Sequence, residues 1–252
     1  MVNDFFKDEY LTGKPVEKMS PSGRFRLVIS VYDTTAVTGE CTYGSRGQLY
    51  RVSDGVLIAD VKRYYSAFHH SFQTKDGQEY LITGRSCTGQ TIINCDEGWE
   101  VSTPDKFDDG FCWATHWLSQ DGKTLVVDGC YWACSYELKF FDFTNPRELP
   151  LPELEQGLLC GDTYEISETG GGWRGDVFHA KANVARRKLD NKIHAGKWSR
   201  DMSHEQVAEV EALAQQESRT EDSYYEYVAI EKVIFRRDGT KIVRELSSAA
   251  EE

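Results

Sequence analysis

Short apolar runs separated by glycine-containing turns dominate this chain. Apolar and β-branched residues dominate RFRLVISV, QEYLITG and KTLVVDG, which is typical of β-strands. Each run follows a turn that ends in glycine, at Gly23, Gly77 and Gly122. Glycine adopts the positive φ angles of tight hairpin turns without strain. The pattern therefore predicts a chain built mainly from antiparallel hairpins.

The hairpins recur along the chain. Gly23 and Gly77 are 54 residues apart, and Gly77 and Gly122 are 45 residues apart. Further hairpins follow in QLYRVSDGVLIADV, in QTIINCDEGWEV, in ELKFFDFTNPRELPL with its turn at Asn145-Pro146, and in VIFRRDGTKIVREL around Asp238-Gly239. Four strands in about 45 residues is the length of a propeller blade.

We therefore predict an all-β, β-propeller-like fold with about four blades of four antiparallel strands, either closed or an open fan. The predicted single domain covers 1–252, with units at about 15–63, 64–104, 110–153 and 154–248. A β-sandwich with several hairpins is the alternative.

The turn pattern over residues 20–153 resembles the β-propeller repeats of WD40 and TolB-like proteins. The Gly-His and Trp-Asp dipeptides that mark WD40 repeats are missing. The resemblance implies blades stacked around an axis. Propellers of this kind include both scaffolds and enzymes, so the implied fold does not indicate a function.

Residues 154–222 interrupt the period. Ser203 and Gln206 form a capping box, and Val207, Val210 and Leu213 follow it at helical spacing. These features predict a helix inserted in the last unit over about 202–218. It either covers an edge of the β-structure or binds a partner.

The net charge and the cysteine content indicate which kinds of partner and which cellular compartment to expect. The formal net charge is −12, which repels phosphate backbones and argues against nucleic acid. No run approaches the roughly 20 apolar residues of a membrane span, and the first residues do not resemble a signal peptide. The seven cysteines are then expected to be reduced in a cytoplasmic protein, either a monomer or a homodimer.

Aromatic residues cluster where the loops between second and third strands are expected. In a propeller these loops emerge on one face, which would bring together Tyr43, Cys87, Tyr131, Trp132 and Tyr136. Exposed tyrosine and tryptophan are favoured anchors of protein interfaces. We predict a protein-binding face at these five residues; a self-packing loop is the alternative.

No metal or cofactor is predicted. The alternative is a zinc site made by Cys41, Cys87, Cys130 and Cys134 on the same face. Zinc needs four ligands held tetrahedrally, and only Cys130 and Cys134 are closely spaced.

Catalytic signatures are absent, since the chain has no G-x-S-x-G, Walker A, H-E-x-x-H or G-x-G-x-x-G motif. His70 and His116 lie in the first strands of consecutive units and could face a central channel as an acid–base pair. The favoured hypothesis is a non-catalytic protein-binding module that acts through the aromatic, cysteine-bearing loop face, for example a bacterial or phage inhibitor or immunity-type protein. A hydrolase-like enzyme with its site in the channel and a small-molecule sensor are the alternatives.

Overall fold

The computed structural model describes residues 5–35, 43–64, 67–84, 88–104, 110–131, 136–156, 163–165, 172–187 and 225–246, together with Ala208 and Ala212. The chain divides into two compact units, 1–153 and 154–252. Strands dominate both units, and the first unit contains three successive antiparallel sheets. The prediction of an all-β, propeller-like chain is confirmed.

The first two sheets are four-stranded meanders in which each strand pairs with the next. The first contains β1 (Leu11–Met19), β2 (Phe25–Asp33), β3 (Tyr43–Arg51) and β4 (Leu57–Tyr64), and a 3-10 helix, Asp8–Tyr10, precedes it. The second contains β5 (His70–Lys75), β6 (Gln78–Thr83), β7 (Thr91–Asn94) and β8 (Trp99–Ser102).

The glycine turns join the first and second strands of each sheet. Ser20 and Ser119 make equivalent turns, since the backbone carbonyl of each accepts a hydrogen bond of 2.9 Å from the glycine N–H three residues later. The turn of the second sheet is tighter, because Asp76 and Gly77 both have positive φ and Lys75 pairs directly with Gln78. The repeat thus tolerates two kinds of hairpin turn.

Apolar residues fill the space between the first and second sheets. Phe68, in the connection between them, packs with Leu27 and Leu49 of the first sheet and with Leu81 and Ile93 of the second. The Phe68 ring lies directly over Gly47 of β3, where a Cβ atom would fall 2.6 Å from its Cε2. The Phe68 ring can pack directly on the backbone of β3 because residue 47 has no side chain.

The third sheet has three strands in the order β11-β10-β9. They are β9 (Phe111–Leu118), β10 (Thr124–Tyr131) and β11 (Tyr136–Asp142). The expected fourth strand is reduced to an isolated bridge between Phe141 and Glu153. Pro150 and Pro152 precede this bridge, and proline has no N–H to donate to a strand ladder.

A β-bulge interrupts the pairing of β9 with β10. Asp128 pairs with Thr115, but the next residue, Gly129, pairs with Trp113, so Ala114 is the extra residue. A bulge shifts the alternation of side chains beyond it. Trp113 and His116 consequently lie on the same face of the sheet, with their ring centroids 5.5 Å apart.

The inner strands β5 and β9 lie side by side in the same direction. The Gln73 side chain donates to the carbonyl of His116 and accepts from the N–H of Leu118, both at 3.0 Å. Two residues further along β5, Lys75 donates to the carbonyls of Phe143 and Thr144, both at 2.8 Å. The second and third sheets therefore have the same orientation, and the equivalent ends of their strands lie at the same end.

The second unit has a six-stranded sheet rather than a four-stranded blade. Its path is β12-β17-β16-β15-β13, with β14 paired to β15, and β12 pairs in parallel with β17. The strands are β12 (Glu155–Gln156), β13 (Thr163–Glu165), β14 (Gly172–Arg174), β15 (Val177–Arg187), β16 (Tyr225–Asp238) and β17 (Lys241–Leu246). Phe178, Val233 and Phe235 are buried, and the predicted hairpin joins β16 to β17 around Gly239.

The helix predicted over 202–218 lies outside the described residues except at Ala208 and Ala212, and both of these are helical. In the part of the chain that the structure describes, no helix has the length and apolar character that a membrane crossing requires.

Candidate functional site

In each of the three sheets of the first unit, the second strand ends and the third strand begins at the same end of the unit, and we call this end the loop rim. Tyr43 begins β3, Tyr131 ends β10 and Tyr136 begins β11. Their side chains are 43%, 37% and 47% exposed. Because each tyrosine lies at the end of a paired strand, its backbone is held by the sheet while its ring reaches solvent.

Tyr131 and Tyr136 lie on opposite faces of the third sheet. Tyr131 packs edge-to-face on Phe111, at 5.4 Å between ring centroids, and the ammonium of Lys139 lies 5.1 Å from the Tyr131 ring. Burial lowers the pKa of Lys139, but hydrogen bonds to Tyr131 and Glu153 outweigh this and raise it above its ordinary value. Tyr131 is therefore partly a packing residue, whereas Tyr136 belongs to the other face.

The face with Tyr136 also has two thiols and a carboxyl group, and we call it the thiol face. Cys130 pairs with Tyr136 on one side and with Cys112 on the other. Asp128 lies two residues before Cys130 on β10, and alternation puts both side chains on one face. Burial raises the pKa of Tyr136, and the nearby Cys130, Asp128 and Cys112 raise it further.

Asp128 is the most unusual group on the thiol face. Its Oδ1 is buried and has no hydrogen-bond partner among the described residues. Burial raises the pKa of this carboxyl to about 6. A carboxyl that changes charge near neutral pH can exchange protons with a ligand, which is a common property of functional sites.

Asparagine at position 128 is expected to stabilise the protein above pH 6. The raised pKa means that the folded state holds the Asp128 proton more tightly than the unfolded state, so ionisation costs stability as pH rises from about 4 to about 6. Partial exposure reduces this cost to roughly 1 kcal/mol. Urea unfolding should show Asp128→Asn more stable than the parent at pH 7.5 and nearly equal to it at pH 4.

Asp54→Asn is the matched control, because a backbone hydrogen bond from Val56 lowers the pKa of Asp54. This substitution should leave stability at pH 7.5 unchanged or reduce it. If the Asp128→Asn protein has the same stability as the parent at both pH values, ionisation of the buried Asp128 carboxyl does not cost stability.

The two histidines predicted to face a channel lie on neighbouring inner strands. His116 is only 2% exposed and packs against Trp113, and neither ring nitrogen has a partner among the described residues. Burial lowers the pKa of His116 to about 3, and the nearby Arg63, His69 and His70 lower it further. His116 is therefore a neutral side chain between the second and third sheets at physiological pH.

His70 is partly buried at the start of β5. Its Nδ1 lies 2.9 Å from the carbonyl oxygen of Phe68, and a carbonyl only accepts, so this nitrogen donates. Burial lowers the pKa of His70. Gln73 and Lys75 of β5 both bond toward the third sheet. Because side chains alternate along a strand, Ser71 lies on the same side as these two residues and His70 does not. The pairing of His70 and His116 as an acid–base couple stays a prediction.

Several predicted site residues, namely Cys41, Cys87, Trp132 and Cys134, lie outside the described residues. Within the described ranges, no three His, Cys, Asp or Glu side chains are grouped as a metal site requires. The four-cysteine zinc alternative stays a prediction, because only Cys130 of its ligands is described.

The sequence interpretation did not assign a role to Asp128 or Cys112. Asp128 was one of many carboxylates in an acidic chain, and Cys112 was outside the predicted loops. The available signal was the apolar context of Asp128 in TLVVDG, which predicts a carboxyl surrounded by buried strand residues. The pairing of Cys112 with Cys130 depends on the bulge, for which the sequence gives no signal.

No family model matches the chain. An uncharacterized protein of Acanthamoeba polyphaga mimivirus is 35% identical over 148 residues, and this match spans 58% of either chain. Among solved structures, the dihydro-heme d1 dehydrogenase NirN has a TM-score of 0.40 and 11% identity, over 91% of this chain and 37% of that one. The β-propeller domain of Cps50 (Swd1) from Myceliophteria thermophila has a TM-score of 0.28 and 10% identity, over 73% and 72% of the two chains. Likenesses of this size do not bear on substrate, cofactor or partner.

Proposed function

We propose that the chain is a non-catalytic protein-binding module whose contact surface is the loop rim. The observation that supports this most directly is the exposure of Tyr43, Tyr131 and Tyr136 at three strand ends of one compact unit. Tyrosine buries a large area at a low entropic cost, and a ring on a rigid strand end loses little freedom when it binds.

Two further observations bear on this proposal, one on catalysis and one on the charge of the partner. The burial and low pKa of His116 make it a weak proton acceptor near neutral pH, which disfavours the alternative of a channel enzyme. The net charge of −12 favours a partner with a neutral or basic surface, because a basic patch would be steered toward an acidic protein.

Alanine at both Tyr43 and Tyr136 is expected to remove partner binding while stability changes little. Exposed anchors of this kind contribute about 2 kcal/mol each to binding, so loss of both should lower affinity by about a thousandfold. Surface substitutions usually change stability by no more than about 0.5 kcal/mol. Tyr131 is left in place because it packs on Phe111.

The measurement is affinity capture from host lysate with quantitative mass spectrometry, using the parent, the Tyr43→Ala/Tyr136→Ala variant and a control. Val52→Ala/Val56→Ala is the control, since these side chains are 50% and 48% exposed at the opposite end of the first sheet. A protein captured by the parent and the control, but lost from the tyrosine variant, is expected. Identical captured proteins from all three would reject the loop rim as the contact surface.

A further inference from the structure

Two cysteines of the thiol face are direct neighbours across an antiparallel strand pair. Cys112 of β9 and Cys130 of β10 are Cα partners in the register, so their side chains lie on the same face. Both are reduced and partly exposed. Directly opposed residues have Cα atoms about 4.5 or 5.5 Å apart, and both values fall within the range that a disulfide spans, roughly 4.4–6.8 Å.

The bulge at Ala114 creates this pairing. Without the extra residue, the pairing of Asp128 with Thr115 would continue as Gly129 with Ala114 and Cys130 with Trp113. The added residue shifts the partner of Cys130 from Trp113 to Cys112. Bulges often redirect a side chain at functional positions in this way.

We propose that Cys112 and Cys130 form a reversible disulfide by thiol–disulfide exchange with a small disulfide such as oxidised glutathione. The thiolate of one cysteine attacks the small disulfide, forms a mixed disulfide and releases one glutathione thiol. The thiolate of the second cysteine then attacks the protein sulfur, closes the bond between Cys112 and Cys130 and releases the second glutathione thiol. The two protein thiols lose two electrons and two protons, and both glutathione sulfurs are reduced to thiols.

The geometry favours a switch over a permanent cross-link. Directly opposed Cβ atoms in a sheet are about 4.5–5.5 Å apart, whereas a relaxed disulfide holds them at roughly 3.8 Å. Closing the bond therefore pulls β9 and β10 together, and a strained disulfide is more easily reduced. The reduced and oxidised proteins would therefore differ in structure at the end of β10, close to Tyr136 at the start of β11.

Cys95 provides an internal control. It is completely buried in the apolar core between the first and second sheets, and burial raises the pKa of its thiol to about 12. The thiolate is the reactive form, so Cys95 is expected to stay reduced under conditions that oxidise the pair on the thiol face.

The test needs only the full chain and a series of glutathione redox buffers. After equilibration and alkylation, peptide mapping should show Cys112 linked to Cys130, and dithiothreitol should reverse the link. The effective concentration of the pair should be at least about tenfold higher in the native chain than in urea, because folding holds the thiols together. The Cys95→Ser variant should form the link normally, whereas Cys112→Ser should retain a glutathione adduct on Cys130.

Two results would overturn the proposal. One is a native chain in which Cys130 links to another cysteine, such as Cys134, in place of Cys112. The other is an effective concentration no higher in the native chain than in urea. Neither measurement involves a binding partner, so failure of the disulfide is independent of failure of the proposed binding function.

Discussion

Alanine in place of Gly47 is expected to lower the free energy of unfolding by about 3 kcal/mol. The new Cβ atom would lie 2.5 Å from Cε1 and 2.6 Å from Cε2 of the Phe68 ring, well inside contact distance. The ring has little room to move away, because it is buried with Leu49, Leu81 and Ile93 between the first and second sheets. One methyl group is therefore expected to force these sheets apart locally.

A double-mutant cycle with Phe68 tests this explanation. Phe68→Ala alone should cost about 3 kcal/mol, because it removes a buried ring and leaves a cavity. In the Gly47→Ala/Phe68→Ala protein, the clash is gone, so the combined loss should be smaller than the sum of the two single losses. Urea unfolding measures all three variants.

Gln48→Ala is the matched control, since Gln48 is the next residue on β3 and is only partly buried on the opposite face. Its cost should remain within about 0.5 kcal/mol. Additive losses in the double variant would show that the cost at position 47 does not come from the Phe68 ring.

Removal of the Glu79 side chain is expected to cost about 2 to 3 kcal/mol. Glu79, at the start of β6, is 2% exposed and accepts hydrogen bonds from the Ser20 hydroxyl at 3.0 Å and from the Ser22 N–H at 3.1 Å. The Ser22 hydroxyl also bonds to it, and the Arg24 guanidinium lies 3.6 Å away. Through these contacts, Glu79 links the second sheet to the first hairpin turn of the first sheet.

The expected loss comes mainly from the buried hydrogen-bond donors and less from the ion pair. Arg24 is 48% exposed, and ion pairs with exposed partners contribute little. Alanine would leave the buried Ser20 hydroxyl without this acceptor, and an unsatisfied buried group costs about 1–3 kcal/mol. Glu79→Gln should cost less than Glu79→Ala, because the amide oxygen still accepts a hydrogen bond.

Glu17→Ala is the control, because Glu17 forms an ion pair with Arg26 in which both side chains are largely exposed. It should cost less than about 1 kcal/mol. If Glu79→Ala unfolds at the same urea concentration as Glu17→Ala, the contact between the two sheets is not stabilising.

The sequence pattern predicted the hairpins well because their signals are local. Gly23 and Gly122 end turns with the same hydrogen bond from the glycine N–H, and Asp76-Gly77 forms a tight turn with two positive φ angles. The alternation in β2 is also local: Phe25 and Leu27 are buried, with less buried residues between them. Such features need only neighbouring residues, so a repeat of them predicts the repeated sheets.

The prediction was less informative where distant residues decide the outcome. The third sheet has three strands and the sheet of the second unit has six, although turn spacing predicted four in each. At the loop rim, the sequence pointed to the tyrosines as candidate binding residues but did not indicate that Tyr131 and Tyr136 lie on opposite faces. That separation follows from the register in which β10 pairs with β11, where Tyr136 is opposite Cys130.

The sequence by itself determined the all-β character, the glycine turns and the repeated meanders, since each depends on backbone preferences and side-chain alternation within a few residues. Only the tertiary structure decided that Phe68 packs directly over Gly47 and that Cys112 faces Cys130. It also decided that one carboxyl oxygen of Asp128 is buried with no hydrogen-bond partner among the described residues. These features depend on strand register, and one extra residue at a bulge changes which side chains meet.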